Sequence, residues 1–97
     1  MLDKSTLQEV TKTVFKFLDP KKDKVFIFGS RAMGNSKKFS DIDIGVKSSR
    51  ELPLSVLGDL KEAFEESNIP YSVDIVDFST TTNSFKSVAL QKTIALN

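Results

Sequence analysis

The chain is 97 residues long, 39% hydrophobic and 28% charged, with a formal net charge of +1; this is the profile of one small domain whose thin core leaves room for a homo- or hetero-oligomer. It has no cysteine and no histidine, which excludes disulfides, thiolate and imidazole metal sites, cysteine nucleophiles and Ser-His-Asp triads together. Any catalytic metal must take oxygen ligands from the side chains, which favours Mg²⁺ or Mn²⁺, and a charge this near zero gives no overall field toward nucleic acid or membrane.

Leu7, Val10, Val14, Phe15, Phe17 and Leu18 recur at mainly helical spacing, with Ser5 or Asp3 available as the cap and Asp19-Pro20 as the stop. After a polar turn, Val25-Phe26-Ile27-Phe28 is a continuous apolar run suited to a buried strand. Gly29-Ser30 ends it abruptly, and residues 31–34 fit one or two helical turns before a lysine-bearing loop. Residues 40–46 alternate: Asp41 and Asp43 share one face of a second strand, Ile42 and Ile44 the other.

Leu54, Leu57, Leu60, Lys61 and Phe64 predict a helix of about four turns, closed by Asn68-Ile69-Pro70. Tyr71, Val73 and Ile75 alternate with Ser72, Asp74 and Val76 as a third strand. Residues 80–83 read as a turn, and Phe85, Val88, Ala89 and Ile94 as a last helix. The expected fold is therefore α/β (α+β), a small mixed sheet of three or four strands with its helices mainly on one face. No apolar run nears the ~20 residues needed to span a bilayer, and residues 1–12 are too polar for a secretory signal, so a cytoplasmic setting is expected.

Two features carry chemistry. Asp41 and Asp43, two apart on a strand, point the same way with about 7 Å between their α-carbons, a spacing that lets both reach one metal ion or a pair of them. Alone this is a weak signal, because Asp-x-Asp is common at strand edges. Aspartate is disfavoured in strands, however, and two facing carboxylates repel until a cation joins them. Asp74, in another apolar strand, can join the pair if that strand lies alongside; the plainer reading leaves Asp74 and Asp77 as solvated acids on an edge. The Gly29-Ser30 turn opens backbone amides at a helix start, where phosphate is favoured, although a strand-ending glycine with Ser30 as helix cap would look the same. The Gly-x-x-x-x-Gly-Lys spacing of a Walker loop is missing.

Taken together, Phe28-Gly29-Ser30-Arg31-Ala32-Met33-Gly34 followed by Lys37-Lys38-Phe39-Ser40-Asp41-Ile42-Asp43-Ile44 resembles the compound signature of the DNA polymerase β-type nucleotidyltransferase superfamily. Val73-Asp74-Ile75-Val76-Asp77 resembles the segment with its third carboxylate, and the likeness runs over about residues 20–96. More narrowly, the chain is similar to the minimal nucleotidyltransferases (MNT type), whose companion is a HEPN-type or substrate-binding all-helical protein.

That resemblance implies transfer of a nucleoside monophosphate, AMP from ATP, to a hydroxyl on a partner protein or small molecule. Asp41 and Asp43 would hold two Mg²⁺ or Mn²⁺ ions. Asp74 would bind the second ion and act on the attacking hydroxyl as its base or positioner. Gly29 and Ser30 would contact the triphosphate, with Arg31, Lys38 and Ser40 as further candidates and Lys37 beside them. The whole chain, residues 1–97, would be one catalytic domain, since no helical acceptor domain follows Asn97 and neither Phe39 nor Tyr71 makes a convincing base platform. The competing reading is a non-catalytic antitoxin or regulatory module that silences a HEPN-type toxin by docking. A nucleic-acid-binding domain fits poorly, because no basic stripe accompanies aromatic residues.

Overall fold

The computed structural model of the chain describes residues 3–29, 32, 41–79, 86 and 92–97. Helix α1 spans Lys4–Val14. Of its two candidate caps Asp3 is the one used: Oδ2 accepts from the Thr6 N–H (3.3 Å) and Oδ1 from the Thr6 hydroxyl (2.6 Å). Val10, Thr13 and Val14 form its buried face. The regular helix ends at Val14, earlier than Asp19-Pro20 would place it. One further turn follows Phe15, with the Leu18 N–H donating to the Val14 carbonyl (3.1 Å), so Leu18 stays buried while Phe17 is 41% exposed.

Strand β1 (Lys24–Phe28) pairs antiparallel with β2 (Ile42–Lys47), and Ile27 sits opposite Ile44. Helix α2 (Leu54–Glu65) then carries the chain to β3 (Val73–Asp77), which lies parallel to β2; a parallel pair needs such a crossover. Strand β4 (Ile94–Ala95) pairs antiparallel with β1, giving a mixed four-stranded sheet in the order β3-β2-β1-β4. Ile94 therefore belongs to a strand and not to the last helix its spacing suggested. It pairs with Ile27, and its neighbours extend the contact: the Leu96 N–H donates to the Val25 carbonyl, and Asn97 Oδ1 accepts from the Val25 N–H. The other residues of that expected helix, Phe85, Val88 and Ala89, lie outside the described residues, as does the turn at 80–83. Of the expected short helix only Ala32 is described, and it is buried.

One face of the sheet, with Val25, Ile27, Ile42, Ile44 and Val46, packs on Val10 and Val14 of α1 and Leu60 and Phe64 of α2. This is the main core, and burial of its apolar area is the chief stabilising term. The other face is divided. Phe26, Phe28 and Phe78 pack together with ring centroids 5.1 to 6.3 Å apart, and the aspartates occupy the remainder. Two buried faces explain why β1 reads as an unbroken apolar run. Gly45 makes the aromatic packing possible, since a Cβ there would lie 2.6 Å from Phe26 Cζ and 2.7 Å from Phe78 Cε1. No helix among the described residues is long and apolar enough to cross a membrane.

Candidate active site

Register decides which acids meet. Phe28 of β1, Asp43 of β2 and Asp74 of β3 stand in one row across the sheet. The flanking positions Ile42, Ile44, Val73 and Ile75 all belong to the helix-side core, so Asp43 and Asp74 project from the opposite face. Asp41 lies two residues before Asp43, just ahead of β2, and is exposed like Asp74, whereas Asp43 is half-buried. Three acids from two stretches of chain thus share one side of one sheet.

Their charges act on one another. The Asp43 carboxyl is pushed above its ordinary value, first by burial, then by the charge of Asp74, then by that of Asp41. Among the described residues no three acidic side chains already close around a single point. Like charges oppose such closure, and a divalent cation is what would favour it. The donor set fits one: every candidate ligand is a hard carboxylate oxygen.

Gly29 closes the site from the side of β1. Its φ is +74°, in the left-handed region that favours glycine. A Cβ on it would come within 2.5 Å of Asp43 Oδ2. The turn after β1 therefore approaches the carboxylate directly, and the two halves of the sequence signature are in contact. Ser30, Arg31, Lys38 and Ser40, the other residues expected at the triphosphate, lie outside the described residues.

Asp77 belongs to a different arrangement. It stands in register with Val46 and is buried on the helix side. Its Oδ2 accepts from the Leu52 N–H (2.7 Å) and its Oδ1 from the Ser79 N–H (2.9 Å) and hydroxyl (2.7 Å). Burial works to raise this carboxyl, but those hydrogen bonds outweigh it and hold the group below its ordinary value. Asp77 ties the end of β3 to the approach to α2; it is neither a solvated acid nor a partner of Asp43.

Two features escaped the sequence. An open groove of about 600 Å³ runs beside Asp74, between α2 and the segment from Ile69 to Val73, with Lys61 and Tyr71 in its walls. The aromatic trio beside Asp43 was also unforeseen, although a glycine in the middle of a strand, Gly45, is a signal of close approach.

The sequence pattern of the family described as Polymerase beta, Nucleotidyltransferase matches residues 9–96. The chain belongs to that family. This nucleotidyltransferase is 39% identical over 85 residues to a probable protein adenylyltransferase MntA of Haemophilus influenzae, a match covering 88% of this chain and 74% of the relative. Among solved structures it resembles a toxin–antitoxin complex with AMP-PNP (TM-score 0.77, 22% identity, 94% of this chain and 72% of that one). It also resembles a complex of a tri-AMPylated Shewanella oneidensis HEPN toxin with its MNT antitoxin (TM-score 0.65, 22% identity, 94% and 71%). At that identity the likeness to the two complexes concerns the fold.

Proposed function

We propose that the chain, as one catalytic domain, transfers AMP from ATP to a hydroxyl on a separate helical protein of the HEPN type. The reading is supported by the relative named as a protein adenylyltransferase and by structural neighbours that pair an MNT antitoxin with a HEPN toxin, one of them AMPylated. One observation carries it: Asp43 and Asp74 in register on one face, with Gly29 against Asp43.

In this reading Asp41 and Asp43 hold divalent cations, Mg²⁺ before Mn²⁺, and Asp74 completes the set. When bound, the ions supply positive charge to the entering and departing oxygens. Gly29 brings backbone close to the triphosphate, and Ser30, Arg31, Lys38 and Ser40 hold its oxygens. Asp74 faces the acceptor and orients its hydroxyl or takes its proton. The acceptor oxygen bonds to the α-phosphorus of ATP as the bond from that phosphorus to the bridging oxygen breaks, and pyrophosphate leaves.

The test is label transfer. ATP labelled at the α-phosphate, with Mg²⁺ and a coexpressed HEPN-type partner, should label that partner. Asp43→Asn should lower the rate by roughly 10²-fold or more, the scale of removing one preorganised charge from a transition state. Absence of transfer with the correct partner, together with toxin neutralisation that survives an Asp41→Asn/Asp43→Asn double substitution, would make the chain a docking module.

A further inference from the structure

Asp74 stands beside Asp43 in the sheet and also lines the groove on the outer side of β3. That groove adjoins a second one of about 320 Å³ lined by Leu54, Gly58, Lys61 and Ile75 among others. Lys61, Val73 and Asp74 line both, so one continuous channel follows β3 along α2.

Three observations bear on what it holds. First, β3 ends the sheet among the described residues. The Ile42 N–H donates to the Ser72 carbonyl and the Phe78 N–H to the Val46 carbonyl, each at 2.9 Å. In a parallel pair the even positions of β3 therefore bond to β2, and the N–H and C=O groups of Val73 and Ile75 point outward into the channel. Second, Gly58 sits in the interior of α2, where glycine is destabilising relative to alanine. No contact among the described residues accounts for it, since a Cβ there would meet none of them within 4 Å. Third, Leu54, one turn earlier on the same wall, is 83% exposed, a large apolar side chain with no cover.

We propose that an extended segment of the protein acceptor docks along this channel as an added strand beside β3. The inference rests on the transferase reading above and deepens it by naming how the acceptor is held. An extended peptide supplies partners for the outward N–H and C=O groups of Val73 and Ile75. Its side chains alternate: those on one face lie against Leu54 and the space left by Gly58, and those on the other lie on the aspartate side. A hydroxyl-bearing residue opposite Asp74 is thereby brought to the proposed site. A nucleic acid has no such backbone ladder to offer.

Gly58→Trp puts a large side chain into the channel from a position where a Cβ meets nothing among the described residues within 4 Å. With the coexpressed HEPN-type partner as acceptor, it should raise KM for the partner by about tenfold and leave kcat and KM for ATP within about twofold, because it removes only acceptor binding. Asp59→Trp, exposed on the same helix but outside the channel, should change none of these. In the unsubstituted complex the Val73 and Ile75 amides should become protected from hydrogen exchange when the partner binds; this measurement stands even if Gly58→Trp fails to fold. Unchanged KM, or amides that the partner leaves unprotected, would overturn the docking mode, as would protection arising from self-association of the chain alone. If the partner protects these amides but no AMP is transferred, the docking mode survives and the transferase reading fails.

Discussion

Replacing Gly29 with alanine should damage stability and catalysis by separate routes, and the structure gives a scale for each. An L-residue held at φ +74° pays roughly 1–2 kcal/mol in the left-handed region, and in a domain of this size each kcal/mol lowers Tm by about 4–8 °C. The new Cβ would lie 2.5 Å from Asp43 Oδ2, against 3.4 Å for ordinary contact, so the carboxylate must retreat by about 0.9 Å. A misplacement near 1 Å at a reacting centre costs about 10²-fold in rate. Gly29→Asn separates the two effects. Asparagine tolerates positive φ better, so its Tm should recover in part, while its Cβ meets the same oxygen and transfer should stay low. Thermal unfolding and α-phosphate label transfer read the two quantities independently. Wild-type transfer by Gly29→Ala would refute the claim that the glycine turn positions Asp43, and recovery of transfer in Gly29→Asn would assign the loss to backbone strain instead.

Two carboxylates should give pH dependences of opposite sign. Asp43 binds its proton more tightly when folded, so in metal-free protein its contribution to stability falls as pH rises from the unfolded value of 3.8 through the raised folded one. Asp43→Asn should therefore be more stable than wild type at pH 7, by less than about 1 kcal/mol because solvent screens a half-exposed group; a lower Tm for the metal-free variant would contradict this. Asp77 is lowered, so its contribution is present above 3.8 and is lost as pH falls through its folded value. Asp77→Asn, which presents an amide N–H₂ to donors now bound by carboxylate oxygens, should cost about 1–3 kcal/mol at pH 7, and the gap in denaturant midpoint from wild type should narrow in acid.

Much of this was legible from spacing. The alternation of Asp41-Ile42-Asp43-Ile44 assigned both acids to one face, and the apolar neighbours of Asp74 placed it there too once β3 lay beside β2. Pairing itself could not be read, because the register of Asp43 with Asp74 is fixed by contacts between segments far apart in the chain. Asp77 shows the limit from the other side: three residues after Asp74, alternation sends it to the opposite face, but the Leu52 and Ser79 groups that hold it there come from the fold. Ile94 had the spacing of a helix because helical and extended periods are hard to tell apart over a few residues, and its pairing with Ile27 decided the matter. The channel beside β3 is a product of tertiary packing between α2 and a strand edge, which spacing along the chain does not encode.

In the proposed reaction Asp41, Asp43 and Asp74 act as one set of cation ligands. Mn²⁺ titration followed by electron paramagnetic resonance, with a non-hydrolysable ATP analogue present, addresses this without relying on turnover. Each single Asp→Asn substitution should weaken Mn²⁺ binding, and the Asp43→Asn/Asp74→Asn pair should weaken it by an amount different from the sum of the two. Wild-type affinity in Asp74→Asn would separate that residue from the other two and contradict the shared site.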